Sequence, residues 1–404
     1  MLDRITGFLE KIQETASALW SKLANRVSPF LQRLWNKFPR PAQKILAMTA
    51  RGFVAIWNAI NIPMLAVLFG FAVGAIAVLA IGKSPMDVYR AVWDGTFTSV
   101  RAFVTTLAYV TPLIFTGLAV AFAFRTGLFN IGAEGQFIVA LFVSGYIGFT
   151  WPELSPPLLL TLSLLGGAMA GALWAGLPGL LKAKLGVHEV INTIMMNHIA
   201  FFFVNWLINV PFKAHMYQAT EPVPDAIRLT RLSDILPIDA AQGHTGIFIA
   251  LAAALACYLV LWRTTLGFEI RATGLNQHAA RYAGMSVGRN IILAMLISGF
   301  LAGLGGAVQT LGFRFRVYEM AAFPNFGFNG IAVALIGKNH PFGVILAALL
   351  FGMLQRADSL IQIQAGVPRQ VVAIIQASVI FFVAADQIIK WLFSRRKKEV
   401  EVHD

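Results

Sequence analysis

The stretch FRTGLFNIGAEGQFIVA, Phe124 to Ala140, holds an arginine, an asparagine, a glutamate, a glutamine and three glycines, and apolar runs flank it on both sides. Its meaning depends on its solvent. The 404-residue chain is 57% hydrophobic and only 13% charged, with a mean hydropathy of +0.70. A soluble chain carries about a quarter charged residues. The composition is that of an integral membrane protein and excludes a soluble multidomain enzyme. Polar groups inside such a chain are costly, at roughly 2.5–3.5 kcal/mol for a central charge on insertion scales, so each needs a partner or a task.

Ten apolar segments follow along the chain, near 63–82, 103–124, 134–150, 157–181, 190–209, 247–263, 290–312, 327–337, 341–358 and 370–390. A helix of about 20 residues crosses a ~30 Å hydrocarbon core at ~1.5 Å rise per residue. The expected fold class is an all-α integral membrane protein with about ten transmembrane helices. The eighth segment is short and the third is Gly-rich, so some are expected to be broken or re-entrant. With both termini inside, 22 of the 32 Lys and Arg residues fall on the inner side, the bias that orients multi-pass chains. That placement accounts for the net charge of +13 without a nucleic-acid partner. The single cysteine, Cys257, lies in an apolar run and rules out a disulfide framework within one chain.

Three regions follow. Residues 1–60 form a basic extension in which Leu2, Ile5, Leu9, Ile12, Ala16, Leu19, Leu23 and Val27 step by three or four, an amphipathic pattern. It suits a helix lying on the inner leaflet, with Trp20 and Trp35 at headgroup depth, or a coiled-coil arm to a partner. Residues 61–392 form the transmembrane region, and 393–404 a charged tail on the inner side. The external connection 210–246 is either a solvated connector or a docking surface. The internal segment 266–290 contains QHAARYA, which Asn276 caps and Gly284 terminates. Such a protruding helix suits a contact with another protein or an interfacial loop. A faint internal echo aligns Gly117–Phe129 with Gly330–Phe342, each with a basic residue just inside the membrane.

Catalytic chemistry is absent from the pattern. GIAVALIGKN, Gly330 to Asn339, lacks the glycine spacing and the Ser/Thr of a Walker A loop. His188-Glu189 opens like a zinc-protease helix, but Asn192 stands where the second histidine belongs, and no His/Cys cluster suits a metal. The chain is therefore expected to bind no cofactor itself, and any energy for uphill movement must come from ions or a partner. Glu134 falls in the first turn of the third span, where an acid suits the helix dipole and Arg125 could neutralise it. Asn130 and Gln136 share its loop. In the fifth span Asn197, Phe201, Asn205 and Asn209 step by four and form a stripe of amides and one ring. The stripe suits either a planar polar solute or hydrogen bonding between helices. Gln309, Asn325, Asn329, Gln355 and Gln376 are further candidates to line a pathway.

FNIGAEGQ (Phe129–Gln136), HEVINTIMMNHIA (His188–Ala200) and GLNQHAARYAGMSVGRNIILAMLISGFLAGLGGA (Gly274–Ala307) stand in that order. They resemble the permease superfamily of ABC importers for branched-chain amino acids, sugars and nucleosides, closest to its nucleoside-type branch, over most of residues 60–390. The resemblance implies a bacterial inner-membrane permease with both termini cytoplasmic, forming the solute pathway for nucleosides or related nucleobase compounds. It implies four partners: a second permease of different sequence, a cytoplasmic ATPase carrying ATP and Mg, an extracytoplasmic solute-binding protein, and the lipid around them. The ATPase would grip a coupling helix around Gly274, Asn276, Ala279, Ala280, Arg281 and Gly284. Asn130, Glu134 and Gln136 would then shape a Gly-rich bend at the cytoplasmic mouth. The alternatives are a permease for sugars or branched-chain amino acids, or a self-sufficient transporter driven by an ion gradient.

Overall fold

The structure, a computed structural model, describes residues 67–384 and Leu65, apart from 216, 236 and 239–241. The extension 1–60 and the tail 393–404 lie outside the described residues. The described part is all-helical. Among the described residues seven helices are long and apolar enough to cross a membrane, and three shorter apolar ones accompany them. These ten coincide with the ten expected segments.

The described residues open with α1 (Val67–Ala80) and α2 (Pro85–Phe97). The latter is amphipathic, with Pro85 in its first turn, Val88, Ala91 and Val92 buried, and Met86, Trp93 and Phe97 exposed. α3 (Val100–Arg125) starts where the Ser99 side chain accepts the Ala102 amide, and it is buried along most of its length. Much of the bundle packs on it. α4 (Ala133–Thr150) is one continuous helix, so the expectation of a broken or re-entrant third span is corrected. Its glycines serve packing instead: Gly135 sits against Asn197, and Gly148 against Val223 and Ile227.

α5 (Pro156–Leu185) ends at Gly186, whose φ of 68° closes the helix. α6 (Glu189–Asn209) follows, tied back by a Lys182–Glu189 ion pair of 2.8 Å. After a long connection come α7 (Gly246–Arg263), α8 (Thr265–Leu275), the single-turn-and-a-half α9 (Gln277–Tyr282) and α10 (Val287–Gln309). α5 and α10 cross in close contact because glycines line both faces. A Cβ on Gly171 would lie 2.5 Å from the Gly299 carbonyl oxygen and 2.8 Å from the Gly303 Cα. Small residues are what allow helix backbones this near in a bundle without a hydrophobic drive between them.

α10 does not continue to 312 as an α-helix. It widens into a π-turn at Thr310–Arg314, and Phe315 then reverses the chain at φ 60°. α11 (Phe326–Ile336) has 11 residues, about 16 Å at ~1.5 Å each, half of a ~30 Å core. The eighth segment is thus short as expected. α12 (Pro341–Leu360) and α13 (Arg369–Ala384) complete the described chain. The echoed segments lie side by side: Gly117 faces Val333, and Gly330 faces Thr116.

The connections divide between two ends of the bundle. At one end Arg125 donates from Nε to the Asn339 carbonyl at 2.9 Å and lies 5.0 Å over the Trp262 ring. Gly127 there touches Gly274. At the other end the connection 210–246 folds down onto the bundle. Thr220 N–H donates to the Val317 carbonyl, Val223 N–H to that of Phe315 and Leu229 N–H to that of Leu311. Ala219, Val223, Ile227 and Leu232 are buried. That loop is a packed plug rather than a freely solvated connector.

Candidate functional site

The interrupted stretch becomes an interlock. Asn130 and Gln136 exchange amide hydrogen bonds, both 3.0 Å, and Asn130 Nδ2 also donates to Ser298 Oγ at 2.8 Å. Ser298 in turn donates to the Ala119 carbonyl at 2.6 Å. Asn130 Oδ1 accepts the Gly132 amide, so one side chain joins its own turn, α4 and α10. Asn197 closes the other side: its Oδ1 accepts Gly135 N–H at 2.8 Å and its Nδ2 donates to the Ile131 carbonyl at 2.9 Å. All three side chains are buried. Buried amides satisfied in this way fix the register of packed elements.

Glu134 has different partners from those expected. Its carboxylate is fully buried and accepts three backbone N–H groups at the start of α11, from Asn325 at 2.6 Å, from Gly327 and from Phe328 at 3.3 Å. Arg125 does not neutralise it. That guanidinium is taken by the Lys338 and Asn339 carbonyls and the Trp262 ring. The physical reason is location: the opening turn 126–132 carries Glu134 away from the Arg125 end and against the amides of a helix that begins inside the bundle. Unpaired N–H groups at a helix start attract an anion.

On α6, Asn205 and Met320 pair twice, Asn205 Nδ2 to the Met320 carbonyl and Met320 N–H to Asn205 Oδ1, both at 2.9 Å. The Phe201 ring lies 4.8 Å from that of Phe323. The stripe is real as a face, and in this conformation it holds the segment 318–325 and the turn at 131–135. Asn329 is half-buried in the first turns of α11.

Gln309 stands apart from these satisfied amides. It ends α10, is 3% exposed, and its Oε1 is buried with no hydrogen-bond donor. It borders a cavity of about 170 Å³ whose other walls include Leu141, Arg316, Tyr318, Met320 and Phe326. From sequence Gln309 is only one of several polar residues in apolar segments that are candidates to line a pathway. The cavity beside it depends on the π-turn that follows, which no periodicity announces.

The hairpin of α8 and α9 sits at the Arg125 end. Asn276 caps α9, its Oδ1 accepting His278 and Ala279 amides at 2.9 and 3.0 Å, and Gly284 ends it at φ 81°. Asn276, Ala279, Arg281 and Gly284 are exposed. Ala280 is buried against Val287, Ile291 and Met295. Gly274 presses on the turn after α3, where a Cβ would meet the Arg125 carbonyl oxygen. These two residues therefore seat the hairpin. The set that the resemblance implies omits Leu275 and Tyr282, which are 88% and 97% exposed on this hairpin. An apolar residue held in solvent beside a cap is the signal that marks such a contact.

Comparisons with known proteins bear on this arrangement. Residues 102–384 match the family described as branched-chain amino acid transport system / permease component. The guanosine ABC transporter permease protein NupP of Bacillus subtilis is 43% identical over 340 residues, covering 84% of this chain and 97% of the relative. The nucleoside ABC transporter permease protein NupB of Lactococcus lactis is 36% identical, covering 83% and 93%. The glucose ABC transporter permease protein TsgB13 of Haloferax volcanii is 35% identical, covering 85% and 92%.

Proposed function

The chain belongs to the family of branched-chain amino acid transport system permease components, and from that premise we propose that it is one of two transmembrane subunits of an ATP-driven importer for nucleosides. It is a multi-pass transport subunit, not an enzyme. The observation that carries the solute assignment is the similarity to the guanosine permease along almost that relative's whole length. The second permease is a different polypeptide, ATP and Mg are bound by a cytoplasmic ATPase, and an extracytoplasmic protein delivers the solute. In this reading the chain sits in a bacterial inner membrane with the Arg125 end facing the cytoplasm.

The geometry supports such a division of labour. The exposed tip of the α8–α9 hairpin, with Leu275, Ala279, Arg281 and Tyr282, offers the ATPase a compact knob of apolar groups and one cation. The turn that Gly274 touches also bonds to the start of α4 and, through Glu134, to α11, so motion of the knob has a packed route inward. Glu134 is engaged by three backbone amides at the start of α11, a structural task, and it is the family match that favours ATP over an ion gradient as the energy source. A sugar is the second reading, because the glucose relative is nearly as similar as the second nucleoside relative.

The test is purification in mild detergent with identification of the co-purifying proteins, followed by reconstitution of the assembly. Radiolabelled guanosine is expected to accumulate only with ATP inside the ATPase-facing compartment and the binding protein outside. Accumulation by the chain alone under a proton or sodium gradient would overturn the energy source. ATP-driven uptake of glucose without guanosine would transfer the assignment to the second reading.

A further inference from the structure

The cavity at the end of α10 carries chemistry that packing leaves unused. Gln309 Oε1 is buried without a donor, and the side chain borders a space of about 170 Å³. Among the described residues that oxygen is one of twelve buried side-chain polar atoms without a hydrogen-bond partner, and it is the one of them that lines this cavity, where an entering group can supply the donor. An engineered cavity of about 150 Å³ holds a benzene ring, so this one admits a single ring system. Its inner walls are Leu141, Met320 and Phe326, suited to the faces of a flat ring. Its rim bears Arg314, Arg316 and Glu319, two cations and one anion, whereas the inner walls carry no charge and suit a neutral ring.

The wall is built, not accidental. The π-turn at Thr310–Arg314 and the left-handed Phe315 fold residues 316–320 back over Gln309. The plug at 218–223 then fixes that segment: Thr220 N–H donates to the Val317 carbonyl at 2.9 Å, and Glu319 N–H to that of Gln218 at 2.9 Å. π-Turns concentrate at functional sites because they re-aim the groups around them. The cavity also lies at the end of the bundle remote from Arg125, the end at which an importer receives its solute.

We propose that this cavity is a receiving site for an uncharged planar heterocycle, with the Gln309 amide pairing to adjacent N–H and C=O groups on the ring edge. An amide offers the complementary acceptor and donor, the same pairing by which Gln reads a base edge. The site deepens the nucleoside reading and rests on it for the choice of ring.

The experiment uses the complete importer in proteoliposomes. Gln309→Leu keeps the side-chain bulk and removes the pairing, and uptake of radiolabelled guanosine at saturating binding protein is expected to fall about tenfold. Co-purification of all subunits checks that the variant assembles. In parallel, Ala322 also lines the cavity, so Ala322→Cys places a thiol on its wall, and guanosine is expected to slow the reaction of that thiol with a maleimide. Unchanged uptake in the assembled Gln309→Leu complex, or labelling that guanosine leaves untouched, would overturn the site while the nucleoside reading stands. If the wild-type complex carries glucose and not guanosine, the nucleoside reading and the heterocycle assignment both fall. Protection of the thiol by glucose would then mark the cavity as a sugar site instead.

Discussion

Glu134 supplies what the start of α11 lacks. The N-cap residue Asn325 makes no side-chain cap, and the amides of Asn325, Gly327 and Phe328 turn to the Glu134 carboxylate from 191 to 194 positions earlier in the chain. A hydrogen bond to a charged group contributes about 1.5–3 kcal/mol, and a buried amide left without an acceptor costs about 1–3 kcal/mol. Glu134→Ala is therefore expected to lose about 3 kcal/mol of stability, seen as a lower melting midpoint in detergent. Glu134→Gln, which keeps one acceptor, is expected to lose about half of that. An alanine variant that melts with the wild type would refute the cap. His244 makes a second prediction. Its Nδ1 accepts the Gly246 amide at 3.2 Å, and burial pushes the imidazole down to about 4. In the unfolded chain it titrates near 6.5, so on acidification the unfolded state takes the proton first. Stability is whole above pH ~6.5 and falls as pH drops toward about 4, by up to about 3 kcal/mol. His244→Asn retains an acceptor without a titrating group, and its melting midpoint is expected to change less between pH 7 and 5. Equal slopes in the two proteins would remove His244 from the account.

At the level of elements, the α8–α9 hairpin separates residues that seat it from residues that present it. A Cβ at Gly274 would meet the Arg125 carbonyl oxygen and the Gly127 amide nitrogen, so Gly274→Ala displaces the hairpin from the turn after α3. Tyr282 is 97% exposed and makes the cleaner probe. Tyr282→Ala is expected to weaken capture of the ATPase subunit by about 2 kcal/mol, roughly thirtyfold, with the melting midpoint of the permease unchanged. Undiminished capture would place the contact elsewhere. The hairpin also shows how far sequence reaches. Asn276 and Gly284 announce α9 because capping is local chemistry within three residues. α8, just before it, has no apolar run of membrane length, and α2 buries only one face, so hydropathy passes over both. The turn-forming glycines and the amide stripe on α6 were legible. Their partners, Ile131 for Asn197 and Met320 for Asn205, lie 66 and 115 positions away, and no spacing within a helix encodes such distances.

Across the whole molecule, hydropathy locates the crossings well because the solvent imposes one requirement on every segment: about 20 apolar residues per crossing. It leaves open where the chain stops short. α11 has only 11 residues, and the π-turn ending α10 and the residues just after it bond to residues 220–229 of the plug, a distant part of the chain. The same plug and the hairpin mark opposite ends of the bundle, and on the importer reading we propose that the Lys and Arg bias places the hairpin end in the cytoplasm. That assignment has a direct test. Cys257 is the sole native cysteine and is buried, so it gives a low background. Glu319→Cys and Tyr282→Cys each introduce one exposed thiol, at the plug end and at the hairpin tip respectively. In intact cells stripped of their outer barrier, a membrane-impermeant maleimide is expected to label the first and to reach the second only after the membrane is opened. The reverse pattern would invert the molecule. The hairpin could then meet no cytoplasmic ATPase, and the cavity beside Gln309 would face the compartment into which an importer discharges, so importer, coupling knob and receiving site would fail together on one observation.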